Sequence, residues 1–544
     1  MLVVGAGPVG LTVAHELSRQ GIRVRLVDAA IGPATTSRAI ATHPRTLETY
    51  DQMGVVDRII ARGQMICGFT IFQEGRQLAR LDADYSSMPT RFPFTLAIEQ
   101  TSTEAVLREV LAERGVEAEW GAKVESVDVT DTHVEVALHH SDGSAEQYRV
   151  GWLVGCDGGH STIRKALALP LIGQSNQTWM LADAPLEADL PRDSIYWVRT
   201  EDVTLMAVPL RDGNRWRLLD TVDLDQDPTA VRERFARKLS RGLGATVHVG
   251  EPTWTSVFTA QQRMVAEMRV GRCLLAGDAA HVHSPASGQG MNAGIQEGVK
   301  LAWKLAMVIH GSAREELLDT YSEERVPIGR ALLGSTKRAT SLVELRSPVV
   351  DRVLPVMFGV VRNVGPVRRR IQRKILSGIS GLDLTYRDSS LTAGSENGRA
   401  AGPRPGQRLA MVTGRYMSSP GWMAVLAELR DPRWLLLIAP GPAASVHDYG
   451  ALTGVAERNS SWLSVRSICL HARDGIVGPL IDPGGVLVEA LGLDRGGWVL
   501  VRPDGYLASC ATSFDPAKVA EAFASVPLTD QQSALAPSSN ESAT

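Results

Sequence analysis

The sequence predicts a multidomain chain of mixed α/β and α+β architecture, and three observations carry that expectation. Its 544 residues exceed the size at which one hydrophobic core keeps growing. A strand, glycine turn, helix and second strand open the chain, and the Gly/Pro-dense stretch G-R-A-A-G-P-R-P-G-Q-R at 398–408 reads as a linker ahead of a last module. With 44% apolar and 22% charged residues and a formal net charge of −3, the composition is that of an ordinary globular protein. It lacks the basic excess a nucleic-acid partner demands, so none is expected.

The five cysteines, Cys67, Cys156, Cys273, Cys469 and Cys510, are far apart and form no C-x-x-C. A disulfide scaffold and a cysteine-based zinc site are therefore not expected, and a reducing, cytoplasmic location is. The opening M-L-V-V-G-A-G-P-V-G-L has no basic n-region and is broken by glycines. No apolar run reaches the ~18 residues of a membrane span, so neither export nor membrane insertion is expected.

The first element is a strand at Leu2–Val4 that runs into Gly5-Ala6-Gly7-Pro8-Val9-Gly10 and a helical pattern stopped at Gly21; a second strand ends on Asp28. This arrangement binds dinucleotides, and each part has a task. Gly5 permits the tight turn, Gly7 lets backbone approach a pyrophosphate, and Gly10 lets helix and strand pack closely. The helix start offers free N–H groups and a positive dipole end, while Asp28 can accept from ribose hydroxyls. The fingerprint leaves NAD(P) and FAD both open.

Next, R-A-I-A-T-H-P-R-T-L-E-T-Y is a loop entering a helix, with Arg38 and Arg45 placed for phosphate or flavin edges. Residues 65–83 read as a hairpin, a strand ends at Gln100, and Thr101-x-x-Glu104 reads as a capping box. Residues 123–155 alternate as strands and finish in G-C-D-G-G-H-S-T-I-R, whose Asp157 sits in a glycine-rich turn. Residues 175–258 read as Trp- and Met-rich strands able to wall a pocket, with most of Trp179, Trp197 and Trp216 expected in core.

V-G-R-C-L-L-A is then a buried strand ended by Gly277-Asp278, and a long helix starts at Gly290. Between them lies D-A-A-H-V-H-S-P-A-S-G-Q-G. Its H-x-H pair has no further ligands nearby, so no metal site is expected. Residues 310–400 read as mostly helical, and the basic run at 362–374 as a solvated helix face.

In this order and spacing, G-A-G-P-V-G (5–10), G-C-D-G-G-H-S-T-I-R (155–164) and L-L-A-G-D-A-A-H-V-H-S-P-A-S-G-Q-G-M-N (274–292) resemble the single-component FAD-dependent aromatic hydroxylases, the group A flavoprotein monooxygenases of the para-hydroxybenzoate and phenol hydroxylase type. The resemblance covers about residues 1–340. V-L-V-R-P-D-G-Y (499–506) and G-L-D-L-T-Y (381–386) resemble the subgroup that includes actinomycete polyketide hydroxylases and carries a thioredoxin-like C-terminal domain. Without C-x-x-C, that domain has no dithiol chemistry.

The resemblance implies a Rossmann-like FAD-binding domain over 1–174 and 259–340 with substrate-domain strands near 65–100, a mixed-sheet substrate domain at 175–258, a helical connector at 341–400, a thioredoxin-like domain at 401–527 and a disordered tail at 528–544. It implies that Gly5, Gly7, Pro8, Val9, Gly10 and Asp28 bind the ADP half of FAD, with Arg38 and Gln100 near its ribose and pyrophosphate. Asp157 belongs to the motif associated with both FAD and NAD(P)H. Gly277 and Asp278 meet the ribityl or pyrophosphate region, and Pro285, Gly288, Gly290, Met291 and Asn292 line the isoalloxazine. Ser287 departs from the family's usual glycine.

The implied activity is monooxygenation: NADH or NADPH reduces the flavin, O2 forms a C4a-hydroperoxide, and an aromatic, polycyclic polyketide-type substrate is hydroxylated, by a monomer or homodimer. No position identifies a catalytic base; His283 lies on the flavin loop, but a packed histidine is the better reading. Baeyer–Villiger oxidation or epoxidation on the same scaffold and a catalytically silent flavoprotein are the alternatives. A flavin-dependent halogenase is disfavoured because W-x-W-x-I-P is absent.

Overall fold

The computed structural model describes residues 1–82, 89–200, 204–221, 231–283, 288–344, 370, 376, 378–393, 402–410, 414–439, 453–454, 456–471, 477–494 and 496–529. Pro285 and Ser287, most of the 341–400 connector with its basic run, and residues 530–544 lie outside them.

The N-terminal unit forms as its pattern requires. Leu2–Val4 (β1) leads through the glycine turn into Pro8–Arg19 (α1), and Arg25–Asp28 (β2) pairs with β1 in parallel. Leu11, Val13, Ala14 and Leu17 of α1 are fully buried against this sheet, each large side chain contributing roughly 1.5–3 kcal/mol. Pro44–Met53 (α2) and Gln100–Ala112 (α3) follow, and Leu153–Gly155 (β3) pairs in parallel with the other side of β1. The capping box is not formed. The N-cap of α3 is Glu99, Thr101 lies inside the helix, and Glu104 accepts instead from Gln100 Nε2 at 2.9 Å.

A nine-stranded sheet makes the second layer. Ile172–Glu187 (β4), Ser194–Arg199 (β5), Thr204–Pro209 (β6) and Arg215–Thr221 (β7) belong to it. Trp254–Met264 (β8) flanks β4, and the hairpin Gly68–Gln73/Arg76–Asp82 joins through β5. The all-strand reading of 175–258 needs correction, because Val231–Leu243 (α4) is a helix. Its Val231, Phe235 and Leu239 recur every four residues and cover the back of the sheet with Trp216, Leu205 and Leu218.

Cys273–Leu275 (β9) returns to the first sheet beside β3. Gly290–Ile309 (α5) then crosses α1. A Cβ at Gly294 would stand 2.6 Å from Val9 Cγ2, and one at Gly298 3.1 Å from Thr12 Cγ2, so the glycines let the two helices touch. Asp319–Glu344 (α6) follows.

The C-terminal module has five strands in the order Pro479–Ile481, Leu463–Cys469, Trp434–Ala439, Gly497–Val501, Leu507–Ala511. The first three run parallel and the last two antiparallel. One face carries Pro420–Glu428 and Val486–Leu491; the other is closed by Phe523 together with Trp303, Met307 and Leu317 of the first domain. Two sequence expectations change here. The described part of the Gly/Pro-dense stretch is packed, with Arg408 buried and donating to Glu48 at 2.6 Å, and Leu528, the first residue of the expected tail, is buried, so the packed module runs past its expected end at 527.

Candidate active site

The site is assembled at the carboxyl ends of four adjacent parallel strands in the order β9, β3, β1, β2, where open α/β sheets bind ligands. After β1, Gly5 has φ +102°, and a Cβ there would lie 2.4 Å from the Cys156 carbonyl oxygen. A Cβ at Gly10 would lie 1.8 Å from the Gly5 oxygen, which is why helix and turn meet only through glycine. Gly7 differs: nothing lies within 4 Å of its Cβ position. It caps α1 without a side chain, and Pro8 at the first turn removes one donor, so the remaining N–H groups face the opening.

At the end of β2, Asp28 Oδ2 accepts from Ala6 N at 2.7 Å and Oδ1 from Ala30 N at 2.8 Å. The carboxylate fixes the glycine turn and keeps lone pairs for a hydroxyl. The Arg38 side chain is exposed, near the Phe258 ring at 5.8 Å and with no hydrogen bond among the described residues. Gln100 N donates to Ser37 Oγ at 2.7 Å and Ala39 O at 3.1 Å, holding that loop. Arg45 is not at the opening. It is buried and donates to Asp504 O at 3.0 Å and Tyr506 OH at 3.3 Å, docking α2 onto the C-terminal module.

After β3, Asp157 Oδ1 accepts from Ser161 Oγ at 2.5 Å and Oδ2 from Thr162 N at 2.7 Å. Its carboxylate is thus engaged in starting the helix Thr162–Ala166. Arg164 donates to Gly159 O at 3.1 Å and Ala279 O at 3.2 Å, tying the turn after β3 to the turn after β9. In the latter, Gly277 has φ +63° and packs on Val9. Asp278 stays accessible while protein surrounds it, and its carboxylate has no hydrogen bond among the described residues. Burial pushes its pKa up, against the pull of His281 and Arg38.

The start of α5 is braced from below. Asn292 is buried; its Oδ1 accepts from His43 N at 2.9 Å, and its Nδ2 donates to Ala41 O and Gly288 O, both at 2.7 Å. Gly288, at φ +60°, has room for no Cβ beside Ala41, while Gly290 begins the helix and Met291 is half-buried against the core.

His281 Nε2 donates to Glu297 Oε1 at 2.7 Å, and its Nδ1 shares a second 2.7 Å hydrogen bond with His283 Nε2. Glu297 also accepts from Gly277 N at 3.0 Å and Arg325 Nη2 at 3.0 Å. Burial alone would raise Glu297, but the His281 and Arg325 charges outweigh it and hold it at about 2. The two histidines are therefore structural partners of the turn. Among the described residues no cluster of three or more His, Cys, Asp or Glu could hold a metal.

The family model described as an FAD binding domain matches residues 1–336. The chain is 49% identical to 6-methylpretetramide 4-monooxygenase of Streptomyces rimosus over 94% of this chain and 90% of that protein. It is 34% identical to the 12-dehydrotetracycline 5-monooxygenase/anhydrotetracycline 6-monooxygenase of Streptomyces rimosus subsp. rimosus, over 93% and 94% of the two chains. The solved anhydrotetracycline hydroxylase of Streptomyces rimosus superposes with a TM-score of 0.72 at 27% identity, covering 97% of this chain and 98% of that one.

The chain belongs to the FAD-dependent aromatic hydroxylases.

An aromatic hydroxylase needs an apolar wall for its substrate, and the front of the nine-stranded sheet carries two apolar clusters. Trp179, Leu181 and Leu219 cluster there with Met206, Trp254 and Phe258. Ile195 and Val208 cluster with Trp197 and Met206, reaching Ile40 and Ala97 beside the loop that carries Arg38. Trp216, by contrast, faces α4 on the back. The open groups fit FAD: a glycine cradle beside Gly7, a free carboxylate at Asp278 and a free guanidinium at Arg38. Sequence reasoning missed Glu297, Arg325 and the Asp183–Arg217 pair behind the site. The available signal was a charged residue at an inward-facing register.

Proposed function

We propose that this hydroxylase uses NADH or NADPH and O2 to hydroxylate an aromatic, polycyclic polyketide substrate. The reading is supported chiefly by the apolar, aromatic front face of the sheet and by the named substrates of its Streptomyces relatives.

In this reading Gly5, Gly7, Pro8, Val9 and Gly10 receive the pyrophosphate, Asp28 the ribose, and Arg38 and Gln100 the region between them. Asp157 supports this pocket indirectly through the helix it caps. Gly277 and Asp278 meet the ribityl chain, and Gly288, Gly290, Met291 and Asn292 the ring edge; Pro285 completes the set from outside the described residues. When bound, FAD supplies the electron acceptance and oxygen activation that no side chain can. The chain's own share is different. The positive end of α5 favours negative charge at the groove, Asn292 keeps that end in place, and Trp197, Met206 and Phe258 exclude water from the reacting ring. The C-terminal module is read as thioredoxin-like from its strand order, and as a docking element without dithiol chemistry, since Cys469 and Cys510 are both buried and form no C-x-x-C.

The test is turnover of the FAD-loaded protein with NADPH, ¹⁸O2 and anhydrotetracycline-type phenols. A product carrying one labelled hydroxyl, with NADPH consumption stimulated by the phenol, is expected. Labelled oxygen inserted into a ring as a lactone would replace hydroxylation by Baeyer–Villiger chemistry, and bound flavin without stimulation by any polycyclic phenol would overturn the reading.

A further inference from the structure

We propose that Arg217, a residue of the substrate sheet, is a positioning residue for the flavin groove, holding Arg38 in place through its backbone. The proposal rests on the reading of Arg38 as a cofactor contact.

Arg215 and Arg217 sit two apart on β7 and therefore project from the same face, toward the first domain, while Trp216 points back into the α4 core. Arg217 is fully buried. Its Nε and Nη2 donate to Asp183 Oδ1 and Oδ2 of the neighbouring strand at 2.5 and 2.7 Å, a bidentate pair that fixes the guanidinium plane. The third arm, Nη1, crosses to the loop at 37–41 and donates to the Arg38 carbonyl at 3.0 Å. Arg215 makes the parallel bridge to Glu99 at 3.0 Å.

The rest of that loop is held within its own domain, by Ile98 N on Ile40 O and Gln100 N on Ala39 O. At Arg38 the hold comes from the other sheet. Residues 33–36 before it are exposed and belong to no regular element, so the Arg217 bond is the tie from the substrate sheet that holds the backbone from which the Arg38 side chain extends. Trp254 packs on Arg217 with its ring 5.0 Å from the guanidinium carbon, and Phe258 lies near Arg38. Both belong to the apolar front face. A ring bound on that face thus presses on the same two arginines that shape the groove.

The test is a double-mutant cycle read as FAD affinity of the apoprotein, by quenching of FAD fluorescence. Arg217→Lys keeps a charge for Asp183 but loses the fork. It is expected to weaken FAD binding about 10-fold, as is Arg38→Ala, each removing a hydrogen bond from a charged group. Arg38→Ala/Arg217→Lys should be no weaker than Arg38→Ala alone. A packing defect would instead lower affinity equally in both backgrounds, and that additive result overturns the proposal. So does wild-type affinity in Arg217→Lys. Wild-type affinity in Arg38→Ala would overturn the cofactor reading of Arg38 itself. Thermal unfolding of each apoprotein checks folding, and if Arg217→Lys does not fold, Asp183→Asn, which loosens Arg217 in place, replaces it in the same cycle.

Discussion

The helix Gly290–Ile309 passes between two polar regions of opposite character. At its start lie groups left without partners among the described residues: the Asp278 carboxylate, the Arg38 guanidinium and the first N–H groups beside Gly7. At its middle, every charged group has an oppositely charged partner, three cations sharing two carboxylates. Lys300 Nζ reaches Asp504 at 2.5 Å and Glu324 at 3.0 Å, Lys304 reaches Glu324 at 3.0 Å, and Arg502 binds Glu324 at 2.5 Å and Asp504 at 2.7 Å. Lys300 also stands 3.7 Å from the centre of the Tyr386 ring. A saturated network joins the C-terminal module to the first domain, whereas the unsaturated one awaits a ligand. The difference teaches that exposure of charge separates site from scaffold here better than its presence does.

The sharpest way to break the unsaturated side is Gly10→Ala, whose Cβ would meet the Gly5 carbonyl. FAD binding should fall below detection by fluorescence quenching. Next comes Glu324→Gln on the saturated side, which leaves Lys304 without its carboxylate and Lys300 and Arg502 with Asp504 alone in the interior. It should cost about 3–5 kcal/mol of stability in urea unfolding, because a buried charge without its partner stays desolvated. Asn292→Ala removes three buried bonds under the ring site. A loss of about 1–3 kcal/mol, accompanied by weaker FAD binding, is expected from calorimetry and titration.

The last effect is a slope. Burial lowers Lys304 to about 7, while the unfolded lysine titrates near 10.5. Between those values the unfolded chain binds the extra proton, so stability should rise with pH across that window. Lys304→Met should flatten the rise, seen as the difference in urea midpoint between the two proteins at about pH 7 and pH 9.5.

Much of the unsaturated side was legible in the sequence because its causes are local. Gly5, Gly10 and Gly277 are demanded by a positive φ or a contact within the turn, and Asp28 and Asp278 end strands whose apolar runs announce them. The saturated side was not legible. Arg45 and Tyr506 are 461 residues apart, and Arg502 and Glu324 178 apart, so nothing in either neighbourhood names the partner. Its neighbourhood alone therefore points Arg45 at phosphate or flavin edges. For the same reason the Gly/Pro-dense 398–408 passed for a linker: composition reports turns, and only tertiary packing shows Arg408 buried beneath α2. The helix Val231–Leu243 was legible but missed, its four-residue apolar spacing lying among Trp- and Met-rich strands.

The contrast is tested most directly by amide hydrogen exchange of the apoprotein with and without saturating FAD. New protection is predicted in residues 5–10, 37–43, 277–283 and 288–292, with none in 300–304 or 502–506. Protection confined to the network around Lys300 and Arg502, with the glycine turn unchanged, would contradict the account.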